Sequence, residues 1–374
     1  MAPRALTILQ LTHQGQGAGS TQSIFSLSRE LARRGHRVLV GCPRDTLLAR
    51  AVAAEGGLIT HVPLDFTRLP PVANTIAAAI VQHGVDVVNS HATGDRRAVT
   101  WLRWRRRLPQ AFVVTRRTMP LTLPPGLIAV GLTADRTIAV SAAVANALRR
   151  RLHPRRRLRV VPNGIDLARV DAEPSQHDLA MAQAALGGGD SGRPVVAVVA
   201  RRKDQQVLLR ALPALERPVT VVFVGIRPDE ELAAAEAAVP ERHRIVFVPF
   251  TEHPLAFYRL ATVAALPSRI EGLSQSLLEA MSLGVPVIAS AAGGNPELIY
   301  PGETGLLVPP LDPAAWTRAL DRMLGDAEFR AGVAHAGRTL AREEFTMPRT
   351  AERTEIVYRE AIERRRLLAG ERSR

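Results

Sequence analysis

Ten short apolar, β-branched runs, separated by longer helical patterns, constrain this chain more than any other feature of its sequence. In the first half they are ALTILQLT (5–12), RVLVGCP (37–43), DVVNSH (86–91), AFVVT (111–115) and RTIAVS (136–141). In the second half they are VVAVVA (195–200), VTVVFVG (219–225), RIVFVPF (244–250), VAALPS (263–268) and VPVIAS (285–290). Runs that stay apolar without alternating suit strands buried on both faces, as in parallel sheets covered by helices. The rhythm predicts an α/β protein of two doubly wound domains in series. A length of 374 residues gives each domain room for a core.

The boundary falls where the rhythm stops. Pro162-Asn163-Gly164 is a turn signal after a strand at Leu158 to Val161, and the glycine-rich stretch 187–192 reads as flexible. This predicts an N-terminal domain over 1–165, a connection over 166–192 and a C-terminal domain over 193–345. The remainder, 346–374, holds a charged helix, Arg349 to Leu368, too polar for a core of its own and expected to pack across the outside.

Composition narrows the function classes. Cys42 is the single cysteine, lies in an apolar run and reads as a buried, inert thiol in a reducing cytoplasm. Ala5 to Leu11 reads as a first strand rather than a secretory core, and no stretch reaches the ~18 apolar residues of a membrane helix. The net charge of +14 is uneven: residues 1–170 contain 25 arginines against 8 acids. Such a basic half attracts something anionic, whether nucleic acid, a phospholipid surface or a substrate. WLRWRRRLPQ (101–110) interleaves Trp101 and Trp104 with four arginines. It suits contact with an anionic membrane surface, and equally a core-facing Trp pair with solvated arginines.

Three stretches can carry chemistry. HQGQGAGSTQS (13–23) follows the first strand and precedes a helix at Ser23 to Arg34, so its glycines admit a ligand close to the backbone and the helix end favours an anion. Its spacing is not the G-x-G-x-x-G fingerprint, which disfavours NAD. SRIEGLSQSLLEAMSLGVPVIAS (268–290) places Glu271 in the loop after a strand. Eight residues on, Glu279 lies two turns into a helix that Ser274 or Ser276 would cap. Ligands of open α/β sheets bind outside the carboxyl ends of the strands, where both acids can reach one molecule. RRKDQQ (201–206) contains Lys203, the only lysine among 49 basic residues. A compact ammonium with three freely oriented donors can sit between phosphates where a planar guanidinium would crowd them.

The words EGLSQSLLEAM, GVPVIAS, AAGGNPELI and PGETGLLVPPLDP, with VVPNGID (160–166) and FYRLATVAALPSRIEG (257–272), resemble the retaining nucleotide-sugar glycosyltransferases of family 4 type, marked by an E-x7-E motif. The resemblance runs from residue 5 to about 345. It implies the GT-B fold, two doubly wound Rossmann-like domains facing each other across a cleft.

By the same resemblance, Gly19 meets the donor pyrophosphate through its backbone. Lys203 contacts that pyrophosphate too, joined by Arg201 or Arg202, between which the sequence does not choose. Glu271 bonds the sugar hydroxyls and Glu279 the ribose. Ser274 and Gln275 lie near sugar and phosphate, and Phe250 and Thr251 flank the base. On the acceptor side His91 matches the family, whereas VVTRRT places Arg116 and Arg117 where many relatives have a histidine. An arginine fork there suits an anionic acceptor.

The implied activity is retaining, metal-independent transfer from a UDP or GDP sugar to a glycan or lipid-linked acceptor, in lipopolysaccharide or cell-envelope polysaccharide synthesis. The expected location is the cytoplasm, peripheral on the inner face of the membrane. No cofactor and no metal are expected, since no DxD pair stands in a suitable loop and Asp95 and Asp166 are isolated acids. Two other readings remain open. One is a sugar-nucleotide epimerase or a phosphorylase on the same fold, the latter needing a second lysine for pyridoxal phosphate. The other is a nucleic-acid-binding protein using the basic first half, for which no helix-turn-helix or stacking-sheet motif is present.

Overall fold

The structure, a computed structural model, describes residues 4–17, 19–120, 124–188 and 192–370. Of the glycine-rich stretch 187–192, residues 189–191 lie outside the described residues. The chain divides into two compact units, one running to Gly164 and resuming at Met347, the other Ile165–Thr346.

The first unit holds a seven-stranded parallel sheet in the order β3-β2-β1-β4-β5-β6-β7. Its strands are β1 (Thr7–Leu11), β2 (Arg37–Cys42), β3 (Ile59–Pro63), β4 (Val87–Ser90), β5 (Ala111–Arg116), β6 (Arg136–Ala139) and β7 (Leu158–Val160). The second unit holds six parallel strands in the order β10-β9-β8-β11-β12-β13. These are β8 (Val195–Val199), β9 (Thr220–Val224), β10 (Arg244–Val248), β11 (Val263–Leu266), β12 (Val287–Ser290) and β13 (Leu306–Val308). Both sheets are doubly wound, growing outward in both directions from β1 and from β8.

The unbroken apolar runs have the expected cause. On β5, Phe112 and Val114 enter one core while Val113 enters the other, so both faces of the strand are covered. Cys42 is buried at the end of β2 and burial pushes its thiol up to about 11, as an inert thiol requires. Among the described residues no helix is long and apolar enough to cross a membrane.

Two strands escaped the sequence reading. Both β3 and β13 lie at sheet edges. The first carries an exposed Thr60 in a half-buried pattern and the second is three residues long, so neither presents a continuous apolar run.

Two boundary expectations are corrected. Residues 165–192 belong within the second unit, where Leu167–Asp171 and Gln176–Leu186 are helical, rather than forming a separate connection. The final helix, Met347–Gly370, does not lie across the outside: it is a wall of the first unit's core. Met347, Ala351, Thr354, Tyr358 and Ala361 are buried at alternating spacings of four and three, a narrow stripe on one helix face. The surrounding Arg and Glu residues hid that stripe. They also tie the helix down, through Glu360 to Arg136 and Arg159 and through Glu355 to Arg34. Burial alone would raise the Glu355 pKa, but hydrogen bonds from Arg359, His36 and Arg34 bring it down to about 2.

Tyr358 is fully buried, and its hydroxyl accepts hydrogen bonds from Gln10 Nε2 (3.0 Å) and Asn89 Nδ2 (2.7 Å), on β1 and β4. Removing that oxygen leaves two buried amide donors short of a partner. Tyr358→Phe is therefore expected to lower the unfolding free energy by about 1–3 kcal/mol, read from chemical denaturation curves.

Candidate functional site

In the second unit the site is built by loops that leave the carboxyl ends of β8 and β11. Lys203, after β8, places Nζ 2.9 Å from Glu271 Oε1 and 3.4 Å from the Ile270 carbonyl, in the loop after β11. Neighbouring residues hold the two loops together. The Asp204 amide donates to the Pro267 carbonyl (3.1 Å), and the Asp204 carboxylate accepts from the Arg269 amide (2.9 Å). Gln205 closes the β8 loop on itself, accepting from the Lys203 amide (2.6 Å) and donating to the Arg201 carbonyl (2.7 Å).

A third loop, after β12, packs against the Glu271 backbone. Gly293 has a φ of +55°, and a Cβ there would overlap the Glu271 carbonyl. Only glycine meets both demands, which explains the first of the two glycines of AAGGNPELI.

Ser274 is the N-cap of the helix Gln275–Ser282, its hydroxyl accepting from the Leu277 amide at 3.3 Å. Glu279, within that helix, is buried rather than solvated and accepts from Arg169 Nη1 at 2.6 Å. Removing that partner would leave a buried charge uncompensated.

The two candidate arginines differ. Arg202 donates to Asp229 (2.6 Å) and Glu231 (2.7 Å) and also to Gln206 Oε1 (2.7 Å) and the Lys203 carbonyl (2.6 Å), so its guanidinium belongs to a protein network. Arg201 is exposed. Phe250, after β10, is 55% exposed, and Thr251 accepts from the His253 amide.

In the first unit the corresponding edge holds Gly19, His91, Arg116 and Arg117. Gly19 opens the helix Gly19–Arg33 and is exposed. Gly15 in the same loop is structural, because a Cβ there would run into the Thr46 side chain. His91 is buried with both ring nitrogens engaged: Nε2 donates to Gln10 Oε1 (2.7 Å) and Nδ1 accepts from Arg117 Nε (3.3 Å). Burial and the Arg117 charge hold its pKa well below the ordinary imidazole value, so the ring is neutral.

Arg117 continues the chain of contacts, donating from Nη1 to Ser23 Oγ and Asn163 Oδ1 at 2.6 Å each. Arg116 is buried, and burial, then the charges of Arg96 and Arg151, push its pKa down to about 9. Asp95 is the anchor of this edge. It accepts from Ser90 Oγ (2.7 Å) and from the amides of His91 (2.9 Å), Ala92 (3.0 Å) and His13 (3.2 Å). Burial favours its neutral acid, yet the hydrogen bond with the His13 ring (3.2 Å) foremost, then those from the Ala92 amide and the Ser90 hydroxyl, hold its pKa below the usual carboxylate value.

The structure thus brings Lys203 and Glu271 into direct contact and joins His91 to Arg117. Sequence reasoning missed Gln10, Asn89 and Tyr358, the polar network that sets the His91 ring. A buried glutamine and asparagine inside apolar strands were its available signal; Tyr358, 269 residues from Asn89 in sequence, had none.

Residues 17–169 match the family model Glycosyltransferase Family 4, and residues 192–326 the model for Glycosyl transferases group 1. A GDP-mannose-dependent alpha-(1-6)-phosphatidylinositol monomannoside mannosyltransferase of Mycolicibacterium smegmatis is 35% identical over 228 residues. That alignment covers 56% of the chain and 58% of the relative, so the chain spans little more than half of that protein's length. A D-inositol 3-phosphate glycosyltransferase of Xylanimonas cellulosilytica is 30% identical over 395 residues, covering 94% of both chains. The structure of Anabaena Alr3699/HepE in complex with UDP-glucose, at 18% identity, gives a TM-score of 0.77 over 94% of this chain and 99% of that one, a likeness of fold. With two doubly wound parallel sheets and a relative matched over nearly its whole length, this chain belongs to the GT-B glycosyltransferases of family 4 type.

Proposed function

We propose that the chain is a retaining glycosyltransferase that moves a sugar from a UDP or GDP donor to a glycan or lipid-linked acceptor bearing a phosphate. The observation behind this reading is the Lys203–Glu271 pair, 2.9 Å apart at the carboxyl edge of the second sheet. An ammonium has three donors; one faces Glu271 and one the Ile270 carbonyl, which leaves a third for a donor phosphate oxygen. As the bond from the sugar to phosphate breaks, negative charge grows on the leaving diphosphate and positive charge on the sugar ring. Lys203 meets the first and Glu271 the second. The new bond to the acceptor oxygen forms on the same face, and the departing phosphate oxygen takes the acceptor's proton, so no separate base is required.

Arg201 is the second phosphate contact in this reading, since the Arg202 guanidinium already serves Asp229 and Glu231. The charge comes from these side chains rather than from a metal. Glu279, Ser274, Gln275, Phe250 and Thr251 keep the donor roles that the resemblance implies.

The phosphate on the acceptor is favoured by two facts. Both relatives are named for phosphate-bearing inositol compounds. Arg116 sits buried near Arg96 and Arg151 with no carboxylate paired to it among the described residues, an arrangement that an anionic group would stabilise. An envelope glycan built on a phosphorylated carrier has this chemistry as well.

Incubation with a panel of sugar nucleotides, with release of nucleoside diphosphate as the readout, tests the reading. Lys203→Ala and Glu271→Ala are each expected to lower turnover by roughly 10²–10³-fold with the fold intact, and near-normal activity in either refutes it. Lys203→Arg should lose much of the activity. Arg201→Ala is expected to cost more turnover than Arg202→Ala, whereas Arg202→Ala should cost more in melting temperature. Gly293→Ala, whose Cβ would press on the Glu271 carbonyl, should reduce turnover by displacing the Glu271 loop; an unaffected rate would show that this loop position is not required.

A further inference from the structure

The first unit has a second feature, at the opposite end of its sheet from His91 and Arg117. A cavity of about 340 Å³ opens among residues that precede β5, β6 and β7 and the last turns of the C-terminal helix. That volume is in the range of small-ligand sites. Five arginines line it, at 103, 106, 157, 364 and 365, against one acid, Asp135. Asp135 is already committed: it accepts from Arg103 Nη2 (2.8 Å) and from the Phe112 amide (2.8 Å).

Among the described residues, the other arginines have no carboxylate paired to them. Arg157 turns Nη1 to the carbonyls of Gly131 (2.7 Å) and Leu132 (2.6 Å), at the end of the helix Pro124–Thr133. Burial and then the charge of Arg364 depress its pKa, so the two cations repel one another across the cavity. Arg364 Nε is buried without a hydrogen-bond partner among the described residues. Arg106 occupies the left-handed region at φ +55°, just past the end of the helix Thr93–Trp104, where glycine is the favoured residue. Local propensity is overridden to keep an arginine there.

The mouth has a different character. Trp104 is 65% exposed and Leu132 61%, and both line the cavity; Leu367, on the same last turns as Leu368, is 63% exposed. Trp101 is not part of this apolar rim, being half-buried against the core with Arg105 stacked over its ring at 5.3 Å. The tryptophans therefore divide, one to the core and one to the rim. Uncompensated arginines inside an apolar rim fit an amphiphile with an anionic head better than a free ion.

We propose that this cavity takes the phosphate headgroup of an anionic phospholipid, with Arg106, Arg157 and Arg364 as its ligands and Trp104, Leu132 and Leu367 entering the acyl boundary around it. The site lies at the amino ends of the first sheet's strands, the end opposite His91 and Arg117, and the inference does not depend on sugar transfer.

Sedimentation of the full chain with vesicles tests it, using phosphatidylcholine alone and phosphatidylcholine mixed with phosphatidylglycerol. The protein is expected to bind the mixed vesicles and not the neutral ones. Arg106→Gln combined with Arg364→Gln should weaken binding roughly tenfold or more. Trp104→Ser, an exposed position whose replacement leaves the charge unchanged, should also weaken it, which keeps the test readable if the double variant misfolds. Equal binding to both vesicles, or full binding by Trp104→Ser and the folded double variant, overturns the proposal. So does thermal stabilisation by inorganic phosphate, lost in the double variant, without vesicle binding, since the cavity would then serve a free anion. Lys203→Ala should bind vesicles as the unaltered chain does, which separates this outcome from any failure of the transferase reading.

Discussion

Parallel pairing is the constraint on which the rest of this molecule depends. Every strand of both sheets pairs in parallel, so each must be followed by a crossover before the next can join. The crossovers leave from one edge and return to the other, so all the carboxyl ends of a sheet share an edge. That geometry, rather than nearness in sequence, assembles the chemical groups. Lys203 and Glu271 are 68 positions apart in the chain, yet β8 and β11 are hydrogen-bonded neighbours and their loops emerge side by side. The switch in winding direction between those strands opens the place where a ligand can approach.

The first sheet uses its edge differently. There the polar groups are directed at one another: Asp95 gathers the amides of two loops, His91 orients Arg117, and Gln10 and Asn89 converge on Tyr358. A buried polar group costs free energy unless it is hydrogen-bonded, so such a network tolerates few arrangements and makes the edge rigid. The last helix of the chain supplies the central hydroxyl. A segment that reads as a polar appendage is thereby part of the support for this edge.

The charge imbalance has a related explanation. The first 170 residues hold 25 arginines and few acids, but several arginines find their carboxylates on the final helix, with Arg34 meeting Glu355 and both Arg136 and Arg159 meeting Glu360. Part of the basic half is therefore internal bookkeeping of charge across distant segments. Of what is left over, two groups cluster: Arg116 with Arg96 and Arg151 at one end of the sheet, and Arg106 with Arg157 in the cavity at the other.

The apolar runs, with the short strand read before the Pro162 turn, determined the fold class, eleven of the thirteen strands and the existence of two doubly wound units, because burial on both faces writes itself into each strand locally. The E-x7-E words and the solitary lysine single out Glu271 and Lys203, which the structure places in contact. The edge strands β3 and β13 were not legible, since a half-covered or very short strand leaves no continuous run. Nor was the pairing of Glu279 with Arg169, the commitment of Arg202 to Asp229 and Glu231, or the parting of Trp101 from Trp104. Each of these turns on which side chains meet across long stretches of chain. Local pattern records whether a residue is buried, but only the tertiary structure decides against what.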